Sequence, residues 1–128
     1  MLRKWSRATE SATQGPVKDR WPKEGSGTAT LDYYGHATFG LTTDDGTRVI
    51  IDPFFSDNPW TEVDPSEVEA DFIFCTHGHF DHFADAIAIA KNTGATFVGT
   101  FELVEYVQSQ GVENAHPMHI GGGWDFPF

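Results

Sequence analysis

Phe72-Ile73-Phe74-Cys75-Thr76-His77-Gly78-His79-Phe80-Asp81-His82 is the stretch whose reading decides the fold. A short apolar run breaks off into three imidazoles and a carboxylate within six residues. Imidazole nitrogen and carboxylate oxygen suit zinc, iron and manganese, whereas all-oxygen sets suit magnesium and calcium. With 6 histidines in the chain, chance placement of H-x-H-x-D-H has odds of about one in a thousand on composition. A hydrophilic turn whose histidines only hydrogen-bond is the competing reading. It accounts less well for a strand before the cluster and a helix after it, the setting a metal loop needs. Residues two apart in a strand face the same way, so His77 and His79 can leave the strand end converging on one ion. Asp81 and His82 open the next helix and can reach a second ion. Two metals about 3.5–4 Å apart would jointly activate a water.

The neighbourhood of the cluster is legible in the same terms. Strands are expected over 28–34, 38–42 and 47–51, with Asp44-Asp45-Gly46 supplying hairpin chemistry between the second and third. The Val49-Ile50-Ile51 run is continuous rather than alternating, as in a strand buried on both faces. Pro53 stops it and opens a loop to Trp60, whose aromatics Phe54, Phe55 and Trp60 either contact a substrate or cap the core. Asp57 reads as a surface turn residue. After Asp71 the pattern is β-α-β-α: a strand over 72–76, a helix from about Asp81 to Asn92 stopped by Gly94, and a strand over 95–99. The last helix has Thr100 as cap, Phe101, Val104 and Val107 on one face, and Gly111 after its end.

These motifs resemble the N-terminal half of a metallo-β-lactamase-fold hydrolase, in the branch similar to ascorbate-6-phosphate lactonase. The resemblance runs from about Leu31 to Gly123. It is carried by Tyr34-Gly35-His36, Val49-Ile50-Ile51-Asp52-Pro53, Thr76 to His82, Thr93-Gly94-Ala95-Thr96, Phe101-Glu102-Leu103 and Ile120-Gly121-Gly122. It implies an α/β fold, α+β in detail: half of an αββα sandwich, a mixed sheet with helices on one face. It also implies that His77 and His79 bind a first metal and Asp81 and His82 a second. Asp81 and His82 are the candidate catalytic pair, Asp81 also orienting the water. Asp52 matches the family's strand-end aspartate beside the site. His36 is a candidate neighbour of the ligands, or a structural histidine. The implied cofactors are two divalent ions, zinc first, with manganese or iron as alternatives.

The family's further ligands come from a second half, so the motif alone supplies two protein ligands per metal, where a catalytic zinc normally has three. A fragment of a longer protein, a complementing C-terminal half, a homo-oligomer or unusual local residues would each complete the site. His116 and His119 are the later histidines. They do not match the family's later ligand positions and read first as solvated loop residues.

Charge is unevenly divided. Through Gly27, six basic residues face three acidic ones, net +3; the rest holds Arg48 and Lys91 against 16 acids, net −14, giving the chain's −11. An acidic body is a poor partner for a phosphate backbone, so no nucleic acid is expected and a nuclease ranks below a hydrolase of small esters, lactones, amides or phosphodiesters. A non-catalytic metal-binding half-domain is the main alternative. Residues 1–27 lack periodicity and read as a disordered basic tail or leader, weakly like a transit peptide, ahead of a domain over 28–128. No apolar run nears the about 18 residues that span a bilayer, so a soluble, cytoplasmic protein without membrane partners is expected. Cys75 is the one cysteine, which forbids an intrachain disulfide and reads as a small buried residue rather than a reactive thiol.

Overall fold

The computed structural model describes residues 28–128. The expectation of a disordered tail over 1–27 lies outside the described residues. Six strands form one mixed sheet in sequence order: β1 (Ala29–Tyr33), β2 (Phe39–Thr43), β3 (Arg48–Ile51), β4 (Phe72–Phe74), β5 (Thr96–Gly99) and β6 (Ala115–Pro117). The first three pair antiparallel through short turns, and β3 to β6 run parallel. Parallel neighbours need crossovers, and the helices supply two of them. Helices α1 (Phe80–Phe83) and α2 (Ala86–Thr93) lie between β4 and β5, and α3 (Phe101–Ser109) lies between β5 and β6.

The register explains the core. Ile50, Ile73 and Phe97 stand side by side across β3, β4 and β5. All three are buried, and they join one apolar cluster with Ala86, Ile89 and Ala90 of α2 and Val104 and Val107 of α3. One face of the sheet is therefore covered by helices, as expected. On the other face Phe72 and Phe74 meet Phe126 at centroid distances of 5.6 and 5.2 Å. Leu31 and Tyr33 of β1 are each 63% exposed.

Four expectations need correction. The helix expected over 81–92 is broken at Ala84-Asp85. Asp85 is buried, and its carboxylate accepts from the Phe55 and Ser56 N–H groups at 2.6 and 3.0 Å and from the Ser56 hydroxyl. Binding that loop holds Asp85 at a helix junction, which propensity cannot reveal. His116, read as a loop residue, lies in β6: Phe97 N–H donates to Asn114 O at 3.0 Å and Met118 N–H to Gly99 O at 2.8 Å. Pro117, which has no N–H to give, sits at the end of this edge strand, where its loss matters least. Phe101 is 49% exposed rather than on the buried face with Val104 and Val107. Thr100 occupies the N-cap position, but its side chain makes no capping bond. Gly94 ends α2 as expected, with φ 73° and its N–H on Ala90 O, a conformation glycine adopts without penalty.

Candidate metal centre

The site stands at the C-terminal ends of β3 and β4. Because Ile51 pairs with Phe74, the next residues of the two strands emerge together, and Asp52 N–H donates to Phe74 O at 2.8 Å. Asp52 then turns with φ 47°, a left-handed conformation that Asp and Asn tolerate better than other side-chain-bearing residues. Thr38, fully buried, donates its hydroxyl to Asp52 O at 2.8 Å and accepts from Phe54 N–H at 3.2 Å, tying β2 to the turn.

Asp52 is 3% exposed, and its carboxylate accepts three hydrogen bonds. Thr76 N–H reaches Oδ1 at 2.7 Å, Thr76 Oγ1 reaches Oδ2 at 2.7 Å, and His82 Nδ1 lies 2.9 Å from the same Oδ2. Thr76 Oγ1 is in turn 2.9 Å from His77 Nδ1. His77 Nε2 faces His79 Nδ1 at 3.0 Å. The His77 and His82 rings are 4.1 Å apart between centroids. The structure thus brings together His77, His79 and His82, with Asp52 beneath them.

Asp81 joins from α1. Its Oδ2 is 3.1 Å from His36 Nε2, and the His36 ring is 4.9 Å from that of His82. His36, Asp81 and His82 each present a ligand atom within 4.8 Å of the others. His36 belongs to the turn between β1 and β2, where it has φ 52° and follows Gly35 at φ 96°. A Cβ on Gly35 would sit 2.4 Å from Trp60 Cβ. Gly35→Ala is therefore expected to cost more than the about 1–2 kcal/mol of a left-handed non-glycine residue. Thermal unfolding of the variant measures it; an unchanged midpoint would contradict the packing of this turn against Trp60.

The donor set fits a transition-metal ion. Imidazoles and carboxylates predominate; His77 Nδ1 is held by Thr76 and His82 Nδ1 by Asp52, while His77 Nε2 turns toward His79. A ligating histidine characteristically has this arrangement, its remote nitrogen pinned by a carboxylate or oxygen partner.

Other readings separate here. His116 lies in β6 rather than in a loop, with its ring 4.8 Å from Trp124 and 5.5 Å from Phe126, so it packs with the aromatic tail. His119 is exposed and sits by Glu102. The Glu102 carboxyl is held below its ordinary range by its own backbone N–H and Thr100, with a smaller contribution from His119. Neither histidine joins the cluster among the described residues. Cys75 is buried, and burial pushes its thiol well up, with the Asp52 carboxylate adding to the effect. A buried neutral thiol is no nucleophile. Phe54 and Phe55 are buried and cap the core, whereas Trp60 is 69% exposed and Asp57 is a surface residue. The bridging position of Thr76 was missed from sequence; its one signal is a hydroxyl residue directly before the first histidine. Asp85 offered no signal.

Comparison with known proteins shows what this chain is similar to. A protein named metal-dependent hydrolase from Rubrobacter xylanophilus is 55% identical over 97 residues, which cover 75% of this chain and 40% of that one. Another of that name from Methanopyrus kandleri is 50% identical over 92 residues, 72% of this chain and 40% of that one. The solved structure of Igni18, described as a novel metallo hydrolase from Ignicoccus hospitalis, superposes with a TM-score of 0.64 at 31% identity, covering 73% of this chain and 41% of that one. The chain thus spans about two fifths of the length of these relatives. The sequence pattern of the Beta-lactamase superfamily domain matches residues 30–124, most of what the structure describes, and the chain belongs to that family.

Proposed function

We propose that this chain carries the N-terminal part of a metal-dependent hydrolase acting on a small ester, lactone, amide or phosphodiester. The observation that carries the reading is the cluster itself: His77 Nε2 and His79 Nδ1 converge at 3.0 Å, while His36, Asp81 and His82 gather within 4.8 Å. In this reading His77 and His79 hold one divalent ion and Asp81 and His82 a second, zinc first, with manganese or iron as alternatives. Such ions would supply Lewis acidity and an acidified water. Asp81, exposed enough to meet solvent, orients that water and His36 steadies Asp81 through the 3.1 Å contact. Asp52 and the buried turn beneath it keep the imidazoles in place. Phe80 and Trp60, 62% and 69% accessible, would serve as apolar substrate contacts.

The remaining ligands, on this proposal, come from a complementing segment of the kind that makes up the rest of the relatives' length. The half-covered sheet face with Leu31 and Tyr33 offers it an apolar surface. A cytoplasmic location is part of the same proposal; among the described residues no helix is long and apolar enough to cross a membrane.

Equilibrium dialysis against Zn²⁺, Mn²⁺ and Fe²⁺, with ester, lactone and phosphodiester assays alongside, tests the reading. Metal is expected to be retained, and His79→Ala is expected to lose most of it. Retention without turnover would favour a non-catalytic metal-binding half-domain. Absence of retention sinks the reading for this chain. A nuclease activity lost in His79→Ala would overturn the ranking drawn from the acidic body.

A further inference from the structure

Hydrogen-bond capacity constrains where the protons lie. A carboxylate only accepts, a hydroxyl has one hydrogen to donate, and a neutral imidazole carries its proton on one nitrogen and a lone pair on the other. Asp52 Oδ2 lies 2.7 Å from Thr76 Oγ1 and 2.9 Å from His82 Nδ1. Both neighbours must be donors toward it. For His82 this places the proton on Nδ1 and leaves Nε2 bare.

For His77 the constraint arrives one step later. The single hydroxyl hydrogen of Thr76 is committed to Asp52, the stronger acceptor because it is charged. Thr76 Oγ1 can then only accept from its other neighbour, His77 Nδ1, at 2.9 Å. That puts the His77 proton on Nδ1 and a lone pair on Nε2, the nitrogen that faces His79 Nδ1 at 3.0 Å. The Thr76 N–H, on Asp52 Oδ1 at 2.7 Å, holds the threonine in the position this relay needs.

We propose that Thr76 is a positioning residue: its hydroxyl relays the Asp52 carboxylate to His77, so that one buried carboxylate sets the tautomers of two imidazoles, His82 directly and His77 through Thr76. This rests on the reading that His77 and His82 are metal ligands, and it deepens that reading. The relay presents both Nε2 atoms unprotonated before any ion arrives, so neither ring has to change tautomer to bind.

The test separates the relay from the metal reading. Long-range proton–nitrogen correlation spectra of the full chain, metal-free and at a pH where its imidazoles are neutral, report the tautomer of each ring. His77 and His82 are both expected as Nδ1–H. Thr76→Val keeps the β-branched shape and the backbone N–H but removes the hydroxyl. It is expected to release His77 into a mixture of tautomers and leave His82 as it was. Thr76→Ser is expected to restore the wild-type pattern. In a Zn²⁺ titration Thr76→Val should bind about tenfold or more weaker, the scale on which partners of ligating histidines act, and Thr76→Ser should recover the loss. A wild-type His77 in the Nε2–H form, or a Thr76→Val chain unchanged in both tautomer and affinity, overturns the relay even if the chain binds zinc. A wild-type chain with both rings as Nδ1–H that takes up no zinc overturns the metal reading, and with it the purpose assigned to the relay.

Discussion

Asp52→Asn is expected to weaken metal binding by about 10- to 100-fold, roughly 1.4–2.8 kcal/mol, while leaving the fold in place. Asparagine is the informative substitution because it tolerates the left-handed backbone at φ 47° and keeps one oxygen to accept the Thr76 N–H. Its amide nitrogen would then replace the Oδ2 that both Thr76 Oγ1 and His82 Nδ1 contact. Two former donors would face a donor. His82 relieves the clash by moving its proton to Nε2, and the Thr76 hydroxyl by turning toward His77 Nδ1, which drives the His77 proton to Nε2 as well. Both nitrogens needed for a metal become blocked. Zn²⁺ titration of the metal-free variant reads the loss, and thermal unfolding of the same sample shows whether the fold survives. Wild-type affinity in this variant would remove Asp52 from the site.

Phe97→Ala is expected to be the most damaging single truncation for stability, at about 3–5 kcal/mol, a large part of the about 5–15 kcal/mol by which domains are stable. Phe97 is fully buried in β5, side by side with Ile73 of β4, in the apolar cluster shared with α2 and α3. Its ring also meets that of Phe83 edge-on at 5.9 Å and 87°. Phe83 follows His82 in α1, a four-residue helix with no buried residue of its own. Truncation at 97 should therefore loosen the helix that carries Asp81 and His82 as well as the core. Urea denaturation gives the stability loss, and amide exchange in α1 gives the local effect. A loss below about 1 kcal/mol would contradict a core centred on this ring.

The two variants also mark how far the sequence could be read. The candidate cluster is local in sequence: His77, His79, Asp81 and His82 lie within six residues. Gly94 as the stop of α2 and the buried Val49-Ile50 run were legible for the same reason. The break at Asp85 was not, because the groups that hold it, Phe55 and Ser56, are 30 and 29 residues away in the chain. Nor was β6, whose three residues include a proline and become a strand only by pairing with β5. Phe101 has a favourable place on a helical wheel but is the first residue of α3 and stays half exposed.

By itself, then, the sequence placed three imidazoles and a carboxylate in one short turn and marked most of the strands and helices around it. Those depend on residue type and on periodicity over a few residues. Only the tertiary structure decided that Asp52, 24 residues before Thr76, would lie beneath two histidines at once, and that His36 would meet Asp81. Such contacts follow from the register of β3 against β4 and from a left-handed turn packed on Trp60. Register is a property of two segments together, and neither segment encodes it alone.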